Sequence, residues 1–371
     1  MDTITTQSYI NQVQKHIHIP NYERAYKQKL SSHPLFTKIY TRAQKNIQDI
    51  IQHIDISYIK NKKENIQAFI NKHIQGSFIS DRIKKQLQQS ITHVDKIIIR
   101  YKQHSLCFYN FCHDDPSKNV HYKQWTVMAI YVLCIAELYN MTIENLKVYM
   151  YPSTLKKSMP THSPITCDNI NSGYTTIANK KDRYIVLFRK EDIENVFIHE
   201  CIHYLGIDRT LFNRSDSFIK KFFTVDCSIL LNEGYTEVLT IIYVSICNSI
   251  LLQLDVNDIL YNELLYSLLQ SNKVFSFYNI TDDTRTFINW KDNTNTFAYI
   301  IIKTVCLYHI DIFLDLFFNH TKIDATHFSF FIIQYYKSIS TLFFNGIQSI
   351  SSIPGLFLQQ TLKKTIYDIQ W

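Results

Sequence analysis

His199-Glu200-Cys201-Ile202-His203 brings two imidazoles and a carboxylate into one pentad of the form H-E-x-x-H. Residues four apart share a helix face, so His199 and His203 can each present a ring nitrogen to one metal ion at ~2.0–2.1 Å. Glu200 is rotated by about 100° from His199, which places it beside a metal-activated water rather than on the metal, where a general base belongs. With 15 His and 10 Glu in 371 residues, a random chain would show the pattern only ~0.02 times. Five of those ten Glu fall between positions 191 and 237. The competing explanation is a pair of structural histidines on a buried helix.

A third ligand sets the subclass of site. Gly206 stands where a compact H-E-x-x-H-x-x-G-x-x-H/D site would need it, but the ligand position is then Arg209, whose guanidinium stays protonated. Asp208 is one residue out of register. All five Met (Met1, Met128, Met141, Met150, Met159) precede the pentad, so no methionine turn can follow it. Gly206 therefore reads as a helix C-cap, the residue that can take positive φ where the ligand helix stops. The remaining route is a carboxylate on a second helix, and Asn232-Glu233-Gly234-Tyr235-Thr236-Glu237 supplies two of them, four residues apart on one face.

This second segment resembles the N-E-x-x-x-D motif of the gluzincins, the thermolysin-like zinc peptidases. The resemblance implies that Glu233 is the third ligand of a single zinc ion and that Glu237 orients His199 by accepting its free ring N–H. Two departures stand out: Glu237 occupies the position of the usual Asp, and 29 residues separate His203 from Glu233. The insert is expected to be an excursion carrying a short helix at Ser217–Phe223. For Glu237, an acid favoured by the dipole of its own helix is the alternative explanation. In gluzincins the C-terminal lobe is helical and supplies a Tyr or His to the oxyanion, for which Tyr235 and His309 are the first candidates, followed by Tyr308, His320 and His327.

The elements ahead of the pentad fit such a site. Trp125–Asn140 reads as a buried helix, Leu146–Tyr151 as a strand, and Tyr184–Arg189 as a strong strand. Asn171–Thr176 has turn chemistry followed by β-favouring residues, and Glu191–Leu205 is the ligand helix. The order of helix, strands and ligand helix is similar to the upper lobe of zincins, whose edge strand pairs with an extended substrate; Gly173 and Tyr174 take that place here. The stretch from Ile165 to Asp208 also resembles metallopeptidases inferred from the genomes of large DNA viruses. The likeness covers about residues 145–245.

Composition bounds the rest. With 46% apolar and 14% aromatic residues the chain can bury a real core, and six Gly and seven Pro favour long helices over a strand-and-turn architecture. The expected class is α+β, predominantly α-helical: a basic helical N-terminal region over 1–120, then a zincin-like domain over 121–371. Its upper lobe would hold the sheet and ligand helix to about 206, and its helical lower lobe would start at about 232. The eight Cys form no C-x-x-C pair and read as reduced, buried thiols, with Cys201 facing the core. The N-terminus lacks a basic-then-apolar signal pattern, so an intracellular location, in host cytoplasm or virion for a viral protein, is expected. Trp125–Leu138 and Val238–Leu254 read as core helices rather than membrane spans.

Residues 1–124 hold 19 Lys and Arg against 9 Asp and Glu, a balance of +10; with +7 overall, the remainder totals −3. The basic part is helical in pattern from about Glu23 to Arg100. An acidic partner for it is one reading, and a solvated helical face is the favoured one. The expected activity is zinc-dependent endoproteolysis of a protein or peptide substrate. Its alternatives are a catalytically silent, virion-associated scaffold and a basic adaptor that docks a partner through the N-terminal helices.

Overall fold

The computed structural model describes residues 3–17, 19, 22–62, 65–115, 119–162, 164–176, 183–211, 217–280, 287–292, 294–318, 323–345, 362 and 365–367. In chain order the elements are α1 (Thr3–His16), α2 (Tyr22–Ser31), α3 (Pro34–His53), β1 (Asp55–Lys62), α4 (Ile66–His73), α5 (Asp81–Ser90), β2 (Ile91–Tyr101) and β3 (His104–His113). There follow α6 (Tyr122–Tyr139), β4 (Leu146–Ser153), α7 (Cys167–Ile170), β5 (Gly173–Thr175), β6 (Tyr184–Arg189) and α8 (Ile193–Leu205). A 3-10 turn (Arg209–Leu211) leads to α9 (Ser217–Phe223), α10 (Leu231–Leu252), α11 (Val256–Phe277), a π-helical turn (Ala298–Ile302), α12 (Lys303–Tyr308), α13 (Ile310–Phe317) and α14 (Ala325–Asn345). The class is α+β and predominantly helical.

The chain divides into two compact units: 1–40, 158–170 and 207–369 form one, and 41–157, 171–206 and 370–371 the other. The second holds a mixed six-stranded sheet in the order β1-β2-β3-β4-β6-β5. β3, β4 and β6 run parallel to one another, and the outer pairings β1–β2, β2–β3 and β5–β6 are antiparallel. Side chains alternate across a strand. One face (Val94, Phe111, Tyr149, Tyr151, Val186, Phe188) therefore packs on Ile70 and Ile74 from the α4 region and on Ile83 and Leu87 of α5. Phe108, on the other face, meets Trp125 of α6 and Phe197 of α8 at ring-centroid distances of 5.5 and 5.6 Å. β6 is covered on both sides, which is why Tyr184–Arg189 is a nearly continuous apolar run.

The helical pattern expected from Glu23 to Arg100 holds in α2 to α5 but is broken twice, because Asp55–Lys62 and Ile91–Tyr101 pair as β1 and β2. The isoleucine run Ile97-Ile98-Ile99 is β-branched and fits a pleated surface better than a helix.

The other unit is built on α10 and α11, with α12, the π-helical turn and α14 packed around them. α10 is long and apolar enough to cross a membrane, but 83% of its apolar window is buried in the protein, as in a core helix. The expected excursion helix at Ser217–Phe223 is α9.

Candidate functional site

α8 carries the pentad, and its start is held by acids. Asp192 takes a left-handed conformation (φ 56°) at the N-cap, and its Oδ2 accepts from Lys157 Nζ at 3.0 Å, both side chains fully buried. Glu191 Oε2 accepts the Lys157 backbone N–H at 2.6 Å, and Gln124 Nε2 donates to Glu194 Oε1 at 3.1 Å. Two of the five clustered glutamates thus anchor the helix. Its end is Gly206, in the left-handed region at φ 72°, with its N–H bonded to the carbonyls of Ile202 and His203, as expected of a C-cap.

Within this frame His199 is buried and His203 half-buried, and their Nε2 atoms lie 3.1 Å apart. The rings are nearly perpendicular, at 79°. Cys201 is fully buried, and burial, with Glu200 nearby, pushes its thiol well up, so it is an inert core residue.

Glu200 is 7% exposed and meets β5. The Thr175 hydroxyl lies 2.8 Å from Glu200 Oε2 and 2.9 Å from the Glu200 carbonyl. β5, which carries Gly173 and Tyr174, is an edge strand of the sheet, antiparallel to β6. A Cβ on Gly173 would stand 2.7 Å from Val196 Cγ1 and 3.1 Å from the Val186 carbonyl oxygen; only glycine lets α8 and β6 approach β5 this closely. Tyr174 donates to the His73 carbonyl at 2.7 Å, and its hydroxyl is pushed up by burial and by Tyr184. Thr175 was not singled out from sequence, although it directly follows the two residues that were.

The carboxylate pair lies in the helical unit. Glu233 occupies the first turn of α10, where the helix dipole favours an anion. Tyr299, in the π-helical turn, donates to Glu233 Oε2 at 3.0 Å. Asn232 Nδ2 lies 3.3 Å from Asp208 Oδ2, so the out-of-register aspartate is buried and bonded to the residue preceding Glu233. A Cβ on Gly234 would stand 2.6 Å from Ile302 Cγ2, and this close approach seats the π-helical turn against α10. π-bulges are frequent at functional sites, but their register is not readable from residue types, so Tyr299 escaped sequence analysis. Glu237, one turn on, is 1% exposed, with its carboxylate 3.8 Å from the Lys303 ammonium.

The two oxyanion candidates lie on α10 and between α12 and α13. Tyr235 is fully buried and donates to the Phe317 carbonyl at 3.1 Å. His309, between α12 and α13, bonds Ser338 Oγ at 2.7 Å, and burial lowers its pKa to about 4. Tyr308 stacks on Tyr22 with centroids 4.4 Å apart; His320 lies outside the described residues.

No protein-family model matches the chain, and no solved structure does. Over 217 residues the chain is 24% identical to an uncharacterised protein of Acanthamoeba polyphaga mimivirus, covering 54% of each. The chain thus spans about half the length of the curated relative it matches, and the similarity points to a viral relationship.

Proposed function

We propose that the protein hydrolyses peptide bonds in a zinc-dependent reaction, with His199, His203 and Glu233 holding one ion and Glu200 acting as the base. The observation that carries this reading is the 3.1 Å separation of the two Nε2 atoms. Two nitrogens bound to one zinc at ~2.0–2.1 Å with tetrahedral angles lie ~3.3 Å apart, so the imidazoles already stand at nearly the spacing of co-ligands. Two imidazoles and a carboxylate also form the donor set of hydrolytic zinc sites that keep a fourth position open.

When bound, the ion would polarise the scissile carbonyl and acidify water. Glu200 takes the proton released by water at its carboxylate and returns it to the leaving amine. Thr175 holds one oxygen of that carboxylate, leaving the other for the proton transfer. Tyr299 orients Glu233 through its hydroxyl. The side of β5 away from β6 is suited to pairing with an extended peptide, the geometry an endopeptidase uses to align a substrate backbone. Glu237 as the partner of His199, and a location in host cytoplasm or virion, belong to the same proposal.

Metal analysis and cleavage of a broad peptide library, run on the protein beside Glu200→Gln and Glu233→Ala, test it. Glu200→Gln should keep its full zinc content and lose cleavage, and Glu233→Ala should lose one equivalent of zinc. A protein without zinc, or cleavage that survives Glu200→Gln, overturns the reading. Zinc with no cleavage of any library favours the silent scaffold.

A further inference from the structure

We propose that His93, Asp95 and Cys112 form a second metal site, on the β2–β3 hairpin, for a late first-row divalent ion such as zinc. His93 and Asp95 are two residues apart on β2 and so share a sheet face. Cys112 of β3 is the direct cross-strand partner of His93. One imidazole nitrogen, one carboxylate oxygen and the thiol sulfur all lie within 4.8 Å of one another. Cys112 Sγ is already 3.8 Å from Asp95 Oδ2. Ligand atoms sharing one zinc ion lie ~3.3–3.6 Å apart, so closure asks each pair to approach by about 1.5 Å or less.

Surrounding residues hold the three donors. Tyr58 of β1 donates to Asp95 Oδ2 at 2.7 Å, Asn110 Nδ2 lies 3.2 Å from Cys112 Sγ, and the Thr92 hydroxyl is 3.1 Å from His93 Nδ1. Such outer partners orient ligands and tune their basicity. The Asn110 amide contributes a second, independent sign. It stands directly opposite Asp95 and is 4% exposed, and its Oδ1 is buried with no hydrogen-bond partner. A buried acceptor left unmatched is costly, and this one belongs to the amide whose nitrogen lies against Cys112 Sγ. The strand register also shifts between Ile91 and His93, a local irregularity of the kind that re-aims a side chain.

The donor types select the ion. A thiol beside an imidazole suits zinc, cobalt or nickel and disfavours calcium and magnesium, which prefer oxygen ligands alone. Burial and the Asp95 carboxylate push the Cys112 thiol up to about 12, so thiolate forms only as a divalent cation binds and displaces its proton, and thiolate and carboxylate together then match the ion's charge.

Because the α8 histidines and Glu233 include no sulfur, cobalt(II) distinguishes the sites. Titration of the whole protein with cobalt should produce a near-ultraviolet sulfur-to-cobalt charge-transfer band. That band should persist in the His199→Ala/His203→Ala variant and disappear in Cys112→Ser. His93→Ala and Asp95→Asn each remove a ligand and should weaken cobalt binding by more than the ~10–100-fold that loss of an outer partner costs. His93 and Asp95 are only half-buried, so these two variants keep the test open if Cys112→Ser fails to fold, as far-ultraviolet circular dichroism will show. A titration with no charge-transfer band, or a band of equal strength in Cys112→Ser, overturns the proposal. Failure of the peptidase reading would instead appear as unchanged metal content in the α8 variant, with the band untouched.

Discussion

The hydroxyl of Thr175 lies 2.8 Å from Oε2 of Glu200, tying the edge strand of the sheet to the carboxylate that follows the first histidine of the pentad. The same hydroxyl lies 2.9 Å from the Glu200 carbonyl, so its single proton is shared between that oxygen and the carboxylate. A hydrogen bond to a charged group is worth about 1.5–3 kcal/mol, equivalent to ~10–100-fold in rate where the carboxylate must be held in one orientation. Thr175→Val, which keeps the shape and removes the hydroxyl, should lower peptide turnover by that factor with metal content unchanged. Thr175→Ser should restore most of it. Equal turnover in the Val variant would show that Glu200 is positioned without its neighbour.

Tyr299 and Glu233 make the corresponding pair in the helical unit, with the hydroxyl donating to Oε2 at 3.0 Å. If Glu233 is a metal ligand, Tyr299→Phe removes its outer partner and should weaken zinc binding by about tenfold. Competition with a chelator reads this directly and needs no substrate. An unchanged affinity would assign the bond to packing of the π-helical turn alone.

What could be read from residue order follows from how local each signal is. The pentad, the cap at Gly206, the strand Tyr184–Arg189 and the helix Ser217–Phe223 are set by spacing and composition over a few residues, and all four are where the sequence places them. β1 is hidden because it lies on an edge of the sheet, where Ile56, Tyr58 and Ile59 are exposed and charged residues interleave, so its alternation resembles a polar helix, whereas β2 carries a β-branched signal in Ile97-Ile98-Ile99. Thr175 and Tyr299 gain their roles only through contacts across 25 and 66 residues of chain, which no periodicity encodes. The two glycines at close approaches, Gly173 and Gly234, were visible as residues, but their reason lies in Val196 and Ile302.

Gly234 offers a test of that last point. A methyl group there would stand 2.6 Å from Ile302 Cγ2 and 3.0 Å from Ile302 Cβ, so Gly234→Ala should destabilise the protein by about 1–3 kcal/mol through overpacking. In an Ile302→Ala background the 2.6 Å contact is gone and only the Cβ at position 302, 3.0 Å away, remains, so the same substitution should cost markedly less, helped by the ~1 kcal/mol advantage of alanine over glycine in a helix. Denaturant midpoints of the four proteins in this double-mutant cycle provide the coupling. A Gly234→Ala cost that is the same in both backgrounds would place the constraint elsewhere.

Glu263 of α11 gives the stability a pH dependence with a definite sign. The side chain is 2% exposed; its Oε1 accepts from the Thr365 hydroxyl and from the backbone N–H groups of Ile366 and Tyr367 at 3.2 and 3.3 Å. Burial raises its pKa from 4.5 to about 7, against the lowering effects of Thr365 and Lys303. Between those values the folded protein holds a proton that the unfolded chain has released, so stability is greatest below pH 4.5 as far as this group is concerned and declines as pH rises toward 7. The full effect is about 3 kcal/mol at most. Asp292, raised by burial from 3.8 to about 6, adds a decline of the same sign in an overlapping window, so the difference between wild type and Glu263→Gln isolates the first group. The variant should show a shallower fall in unfolding free energy from pH 4.5 to pH 7. Identical slopes in the two proteins would mean that Glu263 is ionised throughout that range.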